Sequence, residues 1–348
     1  MRTIPPVREI VIVVADLYLP AEAGSSWSGG VSGAMPGLEH AARFGATSVL
    51  ERGWRDRLAR WLGRDDLAQA APATVAAAGL PTGEAQMAWI ATPVHLIASL
   101  TSLHLDHRSI LRPPRSELER LARDFPAAFR DSGFSLQPLP CGDFLLLGPS
   151  MPQALTTEPA RSLVGGVAES LPGGAGAPLL RRLGAEIEMW LHGHPLSEIR
   201  ASRGEPPVSA LWLWGGGPTE RPPTDHSRGA ELELAFGSDA YVRGLWHLQG
   251  GEMRPLPQQL HDIFSYPRAQ RAALVMEVAQ VLHSNPKWNV LEAVAELDRR
   301  FVWPALQTLN RGAVASVLIL ANDRQLLVRS CDHLKIWRRS RPGLKGLQ

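Results

Sequence analysis

Uninterrupted apolar runs, each followed directly by polar residues or glycines, constrain the fold of this chain most. The run at residues 10–15 is rich in Val and Ile and is followed by Asp16. The run AVASVLILAND ends in Asn322 and Asp323. Runs of this kind are typical of parallel strands buried on both faces, and the carboxyl ends of such strands meet at one edge of a sheet. We therefore expect these polar residues to meet there, together with the glycines that follow a third run at Gly215.

The segment from His194 to Gly217, HPLSEIRASRGEPPVSALWLWGGG, is the strongest candidate for a binding site. Its pattern predicts a helix end, a Pro-Pro break and a strand that enters a tight turn. Ligands of open α/β sheets lie beyond the carboxyl ends of strands, where glycines let the backbone approach them. The candidate ligand-binding residues are His194, Arg200, Arg203, Trp212, Trp214, Gly215 and Gly217.

Each of these residues also has a purely structural interpretation, which is the commoner outcome for short motifs. Arg200 and Arg203 could pair with a bound anion, or they could be surface residues at a helix end. Trp212 and Trp214 are two positions apart, so they share one face of a regular strand. They could line a pocket together, or they could pack together in the core beneath a helix.

The chemistry of metal sites gives a second group of candidates. A carboxylate at the end of the first strand, such as Asp16, is commonly a metal ligand or a catalytic group, but it can also cap the next turn. His95, His104 and His107 lie on predicted strands with alternating faces, so we do not expect them to bind one metal ion. The sequence has no Walker loop, no Gly-x-Ser-x-Gly elbow and no His-Glu-x-x-His helix.

Composition narrows the possible classes of function. With 348 residues, 45% of them apolar, the chain can form one large α/β domain or a main domain with a smaller one. A formal net charge of +2 gives no reason to expect nucleic acid or an anionic membrane as a partner. No apolar run reaches the length of about 18 residues that a membrane helix needs. Cys141 and Cys331 fit neither a disulfide framework nor a metal-ligand spacing, so we expect a cytoplasmic protein.

Periodicity places the remaining elements along the chain. Apolar residues at helical spacing predict helices at residues 36–44, 115–129, 179–192 and 270–283. Alternating stretches predict paired strands within residues 88–111 and 134–149.

Three strings of residues resemble known families. ATPVHLIASLTSLHL from Ala91, EIEMWLHGHPL from Glu186 and SALWLWGGG from Ser209 resemble the RpfE-type regulatory proteins, a bacterial family often labelled as relatives of phosphoglycerate mutase. The segment at 194–217 is similar, more distantly, to the archaeal-type cofactor-independent phosphoglycerate mutases of the alkaline phosphatase superfamily. This resemblance implies an alkaline phosphatase-like α/β core, a mainly parallel sheet flanked by helices, at residues 1–88 and 179–348. It also implies a smaller inserted α+β domain at residues 89–178.

The resemblance can be carried over residue by residue. It assigns Asp16 to the metal-binding Asp that ends the first strand in the superfamily, and it places Asn322 and Asp323 where the enzymes have a metal-binding Asp-His pair. The upstream Asp-x-x-x-His cluster of the enzymes is not evident. The positions that match the mutase motif are His194, Arg200, Gly204, Pro207, Gly215 and Gly217. Ser197 and Ser209 stand where the mutases usually have Asn, and a hydroxyl cannot replace both groups of an amide.

The leading hypothesis is a catalytically degenerate phosphoglycerate mutase-like protein with a regulatory or ligand-binding role. Such a protein would bind a small anionic ligand or a protein partner and would need no metal. The competing hypothesis is an active phosphoglycerate mutase or phosphatase that depends on manganese or zinc. Its ligands would be drawn from Asp16, Asp323, His226, His283 and His333. A DNA-binding regulator is disfavoured because the charge is near neutral and no recognition-helix pattern is present.

Overall fold

The computed structural model describes residues 7–19, 34–100, 102–220, 222–224, 232–330 and 332. Cys331, His226 and His333 lie outside these residues. The chain divides into two compact units, each built from separate stretches of sequence. Unit 1 comprises Met1–Gly63, Asp225–Ser238 and Gln249–Gln348, and unit 2 comprises Arg64–Thr224 and Asp239–Leu248.

The described residues form both strands and helices. The strands are β1 (Glu9–Val14), β2 (Ala46–Val49), β3 (Met87–Val94), β4 (Ile97–Ala98), β5 (Leu103–His104), β6 (Ser135–Pro138), β7 (Phe144–Gly148), β8 (Ala210–Pro218), β9 (Glu233–Phe236), β10 (Met253–Arg254), β11 (Arg271–Met276), β12 (Ser316–Ala321) and β13 (Arg324–Arg329). The α-helices are α1 (Pro36–Phe44), α2 (Gly53–Leu62), α3 (Asp65–Ala68), α4 (Pro72–Ala76), α5 (Arg115–Ala128), α6 (Pro159–Gly165), α7 (Ala177–His192), α8 (Pro195–Ser202), α9 (Ala240–Leu248), α10 (Val278–Ser284), α11 (Val290–Leu297) and α12 (Trp303–Asn310). Short 3-10 helices cover His107–Ser109, Ala168–Ser170 and Leu260–Ser265, and a π-helical turn covers Asp298–Val302.

Unit 1 is built on a seven-stranded sheet in the order β10-β9-β11-β1-β12-β13-β2. The first five of these strands pair in parallel, and β13 and β2 complete the sheet as antiparallel strands. Strand β1 lies near the middle because its sequence, EIVIVV, is apolar on both faces and needs cover on both. Ile10 and Ile12 point into the main core of the unit, and the alternating Val11 and Val13 are equally buried. The predicted fold class, a mainly parallel sheet flanked by helices, is confirmed.

One predicted helix of unit 1 is wrong in part. The sequence pattern predicts a helix at residues 270–283, but the structure has strand β11 followed by the short helix α10. Strand β11 pairs in parallel with β1 and β9, and five of its six residues are buried. Pairing on both edges therefore outweighs the helical spacing of this short apolar run.

Unit 2 contains a four-stranded antiparallel sheet in the order β6-β7-β3-β8. One face of the sheet packs against apolar residues of α5 and α7, and the other face packs against α4 and α9. The unit is larger than the insertion predicted at residues 89–178. It has to be larger because β8 pairs with β3 along most of its length, which brings residues 210–218 into the same sheet.

The pairing of β8 corrects a further expectation. The glycines that end β8 do not join the carboxyl edge of the parallel sheet, since β8 belongs to the antiparallel sheet of the other unit. Among the described residues, no helix has the length and apolar character to cross a membrane.

Candidate functional site

The carboxyl ends of three neighbouring parallel strands meet at one edge of the sheet of unit 1. Val14, at the end of β1, pairs with Met276 of β11 on one side and with Ala321 of β12 on the other. Asp16 and the pair Asn322–Asp323 therefore follow adjacent strands at the same edge, as the parallel arrangement predicts. Glu277, which follows β11, lies at this edge as well. Its position was missed because β11 was interpreted as part of a helix.

The Asp16 carboxylate caps a helix. Its Oδ1 accepts a hydrogen bond from the Val278 backbone N–H at 2.6 Å, and its Oδ2 accepts one from Ala279 at 2.7 Å. Both donors belong to the first turn of α10, where the unsatisfied N–H groups of a helix carry partial positive charge. Of the two roles considered for Asp16, the structure therefore shows the cap, although the capped helix follows β11 rather than β1.

The turn between β12 and β13 holds polar atoms with unmet hydrogen-bonding capacity. Asn322 is only 2% exposed, yet neither its Oδ1 nor its Nδ2 has a hydrogen-bond partner. The buried Oδ1 of Asp323 and Nε of Arg324 also have none. Buried polar side-chain atoms are nearly always hydrogen-bonded in folded proteins. A small ligand that both donates and accepts hydrogen bonds would satisfy this group.

The backbone around this turn is tightly constrained. Asn322 has a φ of 38°, in the left-handed region that non-glycine residues rarely occupy. The Leu50 N–H donates to the Asp323 carbonyl at 2.7 Å, which holds the loop before α2 against the turn. Helix α2 begins at Gly53, whose backbone lies next to the Asn322 carbonyl, and no side chain caps the helix. The positive end of α2 therefore adjoins the turn.

The described residues contain only part of the candidate metal-ligand set. No group of three or more His, Cys, Asp or Glu side chains in the described part of the chain could hold a metal ion. Both Asp16 oxygens already bind backbone N–H groups. His283 lies in α10. The other two histidines named for the metal-dependent alternative lie outside the described residues.

His95 and His104 have different hydrogen-bond partners. His95 Nδ1 lies 3.1 Å from the Pro207 carbonyl oxygen. His104 Nε2 lies 2.9 Å from the Ser102 hydroxyl. Neither contact brings two of the imidazoles together, and that the three histidines do not share a metal ion stays a prediction.

His194 caps helix α8 in unit 2. Its Nδ1 accepts a hydrogen bond from the Leu196 N–H at 3.2 Å, so the ring proton is on Nε2, which lies 3.2 Å from Asp124 Oδ2. The ring is buried and packs edge-on against Trp190. Both ring nitrogens are therefore occupied by groups of the same unit.

Arg200 and Arg203 bind the carboxylate of Glu117 in helix α5. Arg200 Nη1 lies 2.6 Å from Glu117 Oε2, and Arg203 Nη1 lies 2.9 Å from Oε1. Glu205 lies within 4 Å of both guanidinium groups, so two arginines face two glutamates. The Arg200 side chain is only 7% exposed, which differs from the surface position considered for it, whereas Arg203 is half-exposed. Glu117 was missed because it is 83 positions from Arg200.

Close packing explains the three glycines at the end of β8. Gly215 has a φ of +65°, and a Cβ at this position would lie 2.9 Å from Pro72. A Cβ at Gly216 would lie 2.2 Å from Trp89 Nε1, and one at Gly217 would lie 2.4 Å from the Ala71 side chain. The space beside each glycine is thus filled by other atoms of unit 2.

Trp212 and Trp214 share one face of β8, as predicted from their spacing. Trp214 is buried, and its Nε1 donates to Thr92 Oγ1 at 3.0 Å. Trp212 packs at the edge of the same apolar cluster, and its Nε1 donates to the Thr157 carbonyl at 2.8 Å. Leu211 and Leu213 face the opposite cluster.

A buried polar network continues from Trp214. Thr92 forms a hydrogen bond with the Asp143 carboxylate, which also pairs with Arg112 at 3.4 Å. Burial raises the pKa of Asp143 and raises that of the neighbouring Cys141 thiol well above its ordinary value. A thiol with a raised pKa is a weak nucleophile, so this network is structural rather than a nucleophilic site.

A cavity of about 270 Å³ opens beside Trp212 in unit 2. It lies between helix α7, strand β8, the β4–β5 hairpin and residues 167–172. Of the seven predicted ligand-binding residues, Trp212 is the one that lines it. Glu188 also lines this cavity, and partial burial raises the pKa of its carboxyl group.

Comparisons with known proteins show distant homology to cofactor-independent phosphoglycerate mutases. No family model matches the sequence. The chain is 24% identical over 193 residues to the 2,3-bisphosphoglycerate-independent phosphoglycerate mutase of Methanothrix thermoacetophila, covering 52% of this chain and 49% of that protein. It is also 24% identical over 175 residues to the probable 2,3-bisphosphoglycerate-independent phosphoglycerate mutase of Geobacter sulfurreducens, covering 50% of this chain and 44% of that protein. The chain thus spans about half the length of these relatives.

Two solved structures are similar to the whole chain at low identity. The PH0037 protein of Pyrococcus horikoshii matches with a TM-score of 0.48 and 13% identity, covering 98% of this chain and 92% of that one. The cofactor-independent phosphoglycerate mutase of Thermoplasma acidophilum matches with a TM-score of 0.40 and 14% identity, covering 93% of this chain and 90% of that one.

Proposed function

We propose that this distant homologue of the cofactor-independent phosphoglycerate mutases is a ligand-binding protein that does not carry out two-metal phosphoryl transfer. Its ligand is a small anion, and binding serves a regulatory role of the kind that the resemblance to RpfE-type proteins implies. The observation that carries this proposal is the unpaired, buried amide of Asn322 at the carboxyl edge of the parallel sheet.

The residues at this edge support the loss of two-metal chemistry. A two-metal centre needs several carboxylates and imidazoles around each cation, so that the metals hold the attacking and the leaving oxygen. Asp16 uses both oxygens to cap α10, and Asn322 stands where the resemblance implies an acidic metal ligand. An amide oxygen carries no full negative charge, so it is a weaker partner for a divalent cation than a carboxylate.

The same edge offers hydrogen-bond donors to an anion. Asn322 Nδ2 and Arg324 Nε are buried and unpaired, and the uncapped start of α2 adjoins the turn that carries them. Amide, guanidinium and helix N–H donors are the groups that typically bind small oxyanions. Asp323 Oδ1, the unpaired acceptor, would suit a hydroxyl or a protonated oxygen of the same ligand. This turn replaces the Gly215–Gly217 turn as the place where we expect the anion.

Calorimetry with inorganic phosphate and 3-phosphoglycerate tests the proposal on the full chain. We expect one of these anions to bind without added metal, and we expect no mutase or phosphatase turnover when manganese or zinc is added. Elemental analysis of the purified protein should show no stoichiometric manganese or zinc. Stoichiometric metal together with turnover would contradict the proposal, and so would a failure of both anions to bind.

Two asparagine variants localise the anion. Asn322→Ala should weaken binding about tenfold or more, because it removes a buried donor from the turn. Asn310→Ala is the matched control, since Asn310 is exposed at the end of α12. Equal binding by the two variants would place the anion elsewhere.

A specific observation also favours the alternative, an active metal-dependent phosphoglycerate mutase or phosphatase. Asp323 Oδ1 is unpaired and follows the strand next to that of Asp16, so the two carboxylates lie at one edge. Manganese or zinc bound there should give turnover that Asp16→Ala abolishes. A wild-type protein that stays inactive with either metal excludes this alternative.

A further inference from the structure

The cavity beside Trp212 has an apolar interior formed by packed elements of unit 2. Leu180 of α7 and Leu211 and Leu213 of β8 form its buried wall, while Leu103 and Leu171 form its exposed rim. Exposed leucines around a concave apolar surface are typical of a binding site for an apolar molecule. Its volume of about 270 Å³ is suited to a small ligand rather than to a protein segment.

Small residues of α7 keep this cavity open. Gly184 and Ala185 lie in the middle of the helix face that lines it. A Cβ at Gly184 would meet no atom within 4 Å, so close packing does not explain the glycine. Glycine in a helix interior costs about 1 kcal/mol relative to alanine. The helix therefore carries this energetic cost at a position that faces the cavity.

Charged residues flank these small residues along the same helix face. Arg181 and Glu188 are seven positions apart, which corresponds to about 10 Å along the axis. Arg181 Nη2 donates to the Pro172 carbonyl at 2.5 Å, which positions the guanidinium group at the cavity rim. None of the described carboxylates pairs with Arg181, whereas the adjacent Arg182 pairs with Glu186 at 2.9 Å.

Arg181 is the charged group of this cavity that suits an acidic ligand. Its guanidinium group lies at the cavity rim and has no partner among the described carboxylates. Glu188, whose pKa partial burial raises, lies about two turns away along α7. An anionic group on the ligand therefore matches Arg181.

We propose that this cavity binds an apolar small molecule that carries one carboxylate, with its apolar body over Gly184 and its acid group paired with Arg181. This site goes beyond the function proposed above. It lies wholly within unit 2 and shares no residue with the turn at Asn322, which belongs to unit 1. The two proposals can therefore fail independently.

Isothermal calorimetry with three ten-carbon probes tests the proposal. Decanoate, decanol and decylamine share the same chain and differ in the charge of the head group. We expect decanoate to bind the full-length protein, and we expect decylamine to bind at least about tenfold more weakly. Equal binding of decanoate and decylamine, or no binding of decanoate, would overturn the proposal.

Variants of α7 locate the probe. Arg181→Gln should weaken decanoate binding about tenfold, and Arg182→Gln is the control because it changes the neighbouring arginine outside the cavity.

Gly184→Leu should abolish binding, since the leucine side chain fills the cavity while favouring the helix. Gly184→Ala, which fills less space, should weaken binding and provides a second readout if the leucine variant does not fold. Unchanged binding by Arg181→Gln or by the folded Gly184 variants would refute the assignment. Asn322→Ala should leave decanoate binding unchanged.

Discussion

Replacement of Asp16 by alanine distinguishes most sharply between a helix cap and a metal ligand. The Asp16 carboxylate is 5% exposed and accepts the N–H groups of Val278 and Ala279 at 2.6 and 2.7 Å. Asp16→Ala removes both hydrogen bonds and leaves both donors buried at the start of α10. If the carboxylate is a cap, the loss should appear as reduced stability of the metal-free protein.

The size of this loss follows from the two hydrogen bonds. A hydrogen bond to a charged group contributes about 1.5–3 kcal/mol net, and removing an N-cap side chain typically costs about 0.5–2 kcal/mol. We expect a loss of about 3 kcal/mol in the free energy of unfolding. For a unit of this size, that corresponds to a Tm lower by roughly 6–12 °C.

The assay is thermal and urea unfolding of wild type, Asp16→Ala and Asp16→Asn, each with EDTA and with added manganese. Asp16→Asn keeps one acceptor oxygen, so it should lose about half as much stability as Asp16→Ala. None of the three proteins should respond to EDTA or manganese. The reasoning is refuted if Asp16→Ala is as stable as wild type in EDTA, or if manganese stabilises wild type but not the variant.

Further predictions concern groups in the cores of the two units. Burial raises the pKa of Asp298 from 3.8 to about 6, so protonation favours the folded state and stability from this group is lost as pH rises from about 4 to 6. The stability of wild type relative to Asp298→Asn, measured by urea unfolding, should fall by about 2 kcal/mol between pH 4 and pH 7. Gly216→Ala places a Cβ against the buried Trp89 ring and should lower stability by about 1–3 kcal/mol in thermal unfolding, whereas Gly184→Ala should raise it by about 0.5–1 kcal/mol. Glu117→Gln leaves the buried Arg200 with only the more exposed Glu205 as a counter-charge and should lower the free energy of unfolding by about 3 kcal/mol, with little dependence on salt.

Patterns confined to a few neighbouring residues allowed much of the fold to be predicted. Strand β1 is apolar on both faces, and its prediction as a buried strand is confirmed. Helix α1 spans the predicted residues 36–44, and α7 begins two residues before the predicted 179. These elements have a clear period or a clear boundary residue, such as a proline in the first turn.

Partners that lie far apart in the sequence could not be predicted in this way. The residues 270–283 fit both periods, and only the neighbouring strands decide that the first half becomes β11. The sequence of β8 shows a strand but not the sheet that it joins. Arg200 is recognisable as a candidate for an anion, but its buried partner Glu117 lies on a distant helix. Likewise, the apolar lining of the cavity beside Trp212 comes from four separate short segments of the chain.

The placement of β1 between β11 and β12 has a consequence for synthesis of the protein. Asp16 and the helix it caps are separated by 262 positions, and β12 comes later still. A ribosome adds about 5–20 residues per second, so the nascent strand waits on the order of tens of seconds for its neighbours. During that time the segment EIVIVV is an unpaired, β-prone stretch of the kind that self-associates. Chaperone binding to the emerging segment EIVIVV should therefore raise the yield of folded protein.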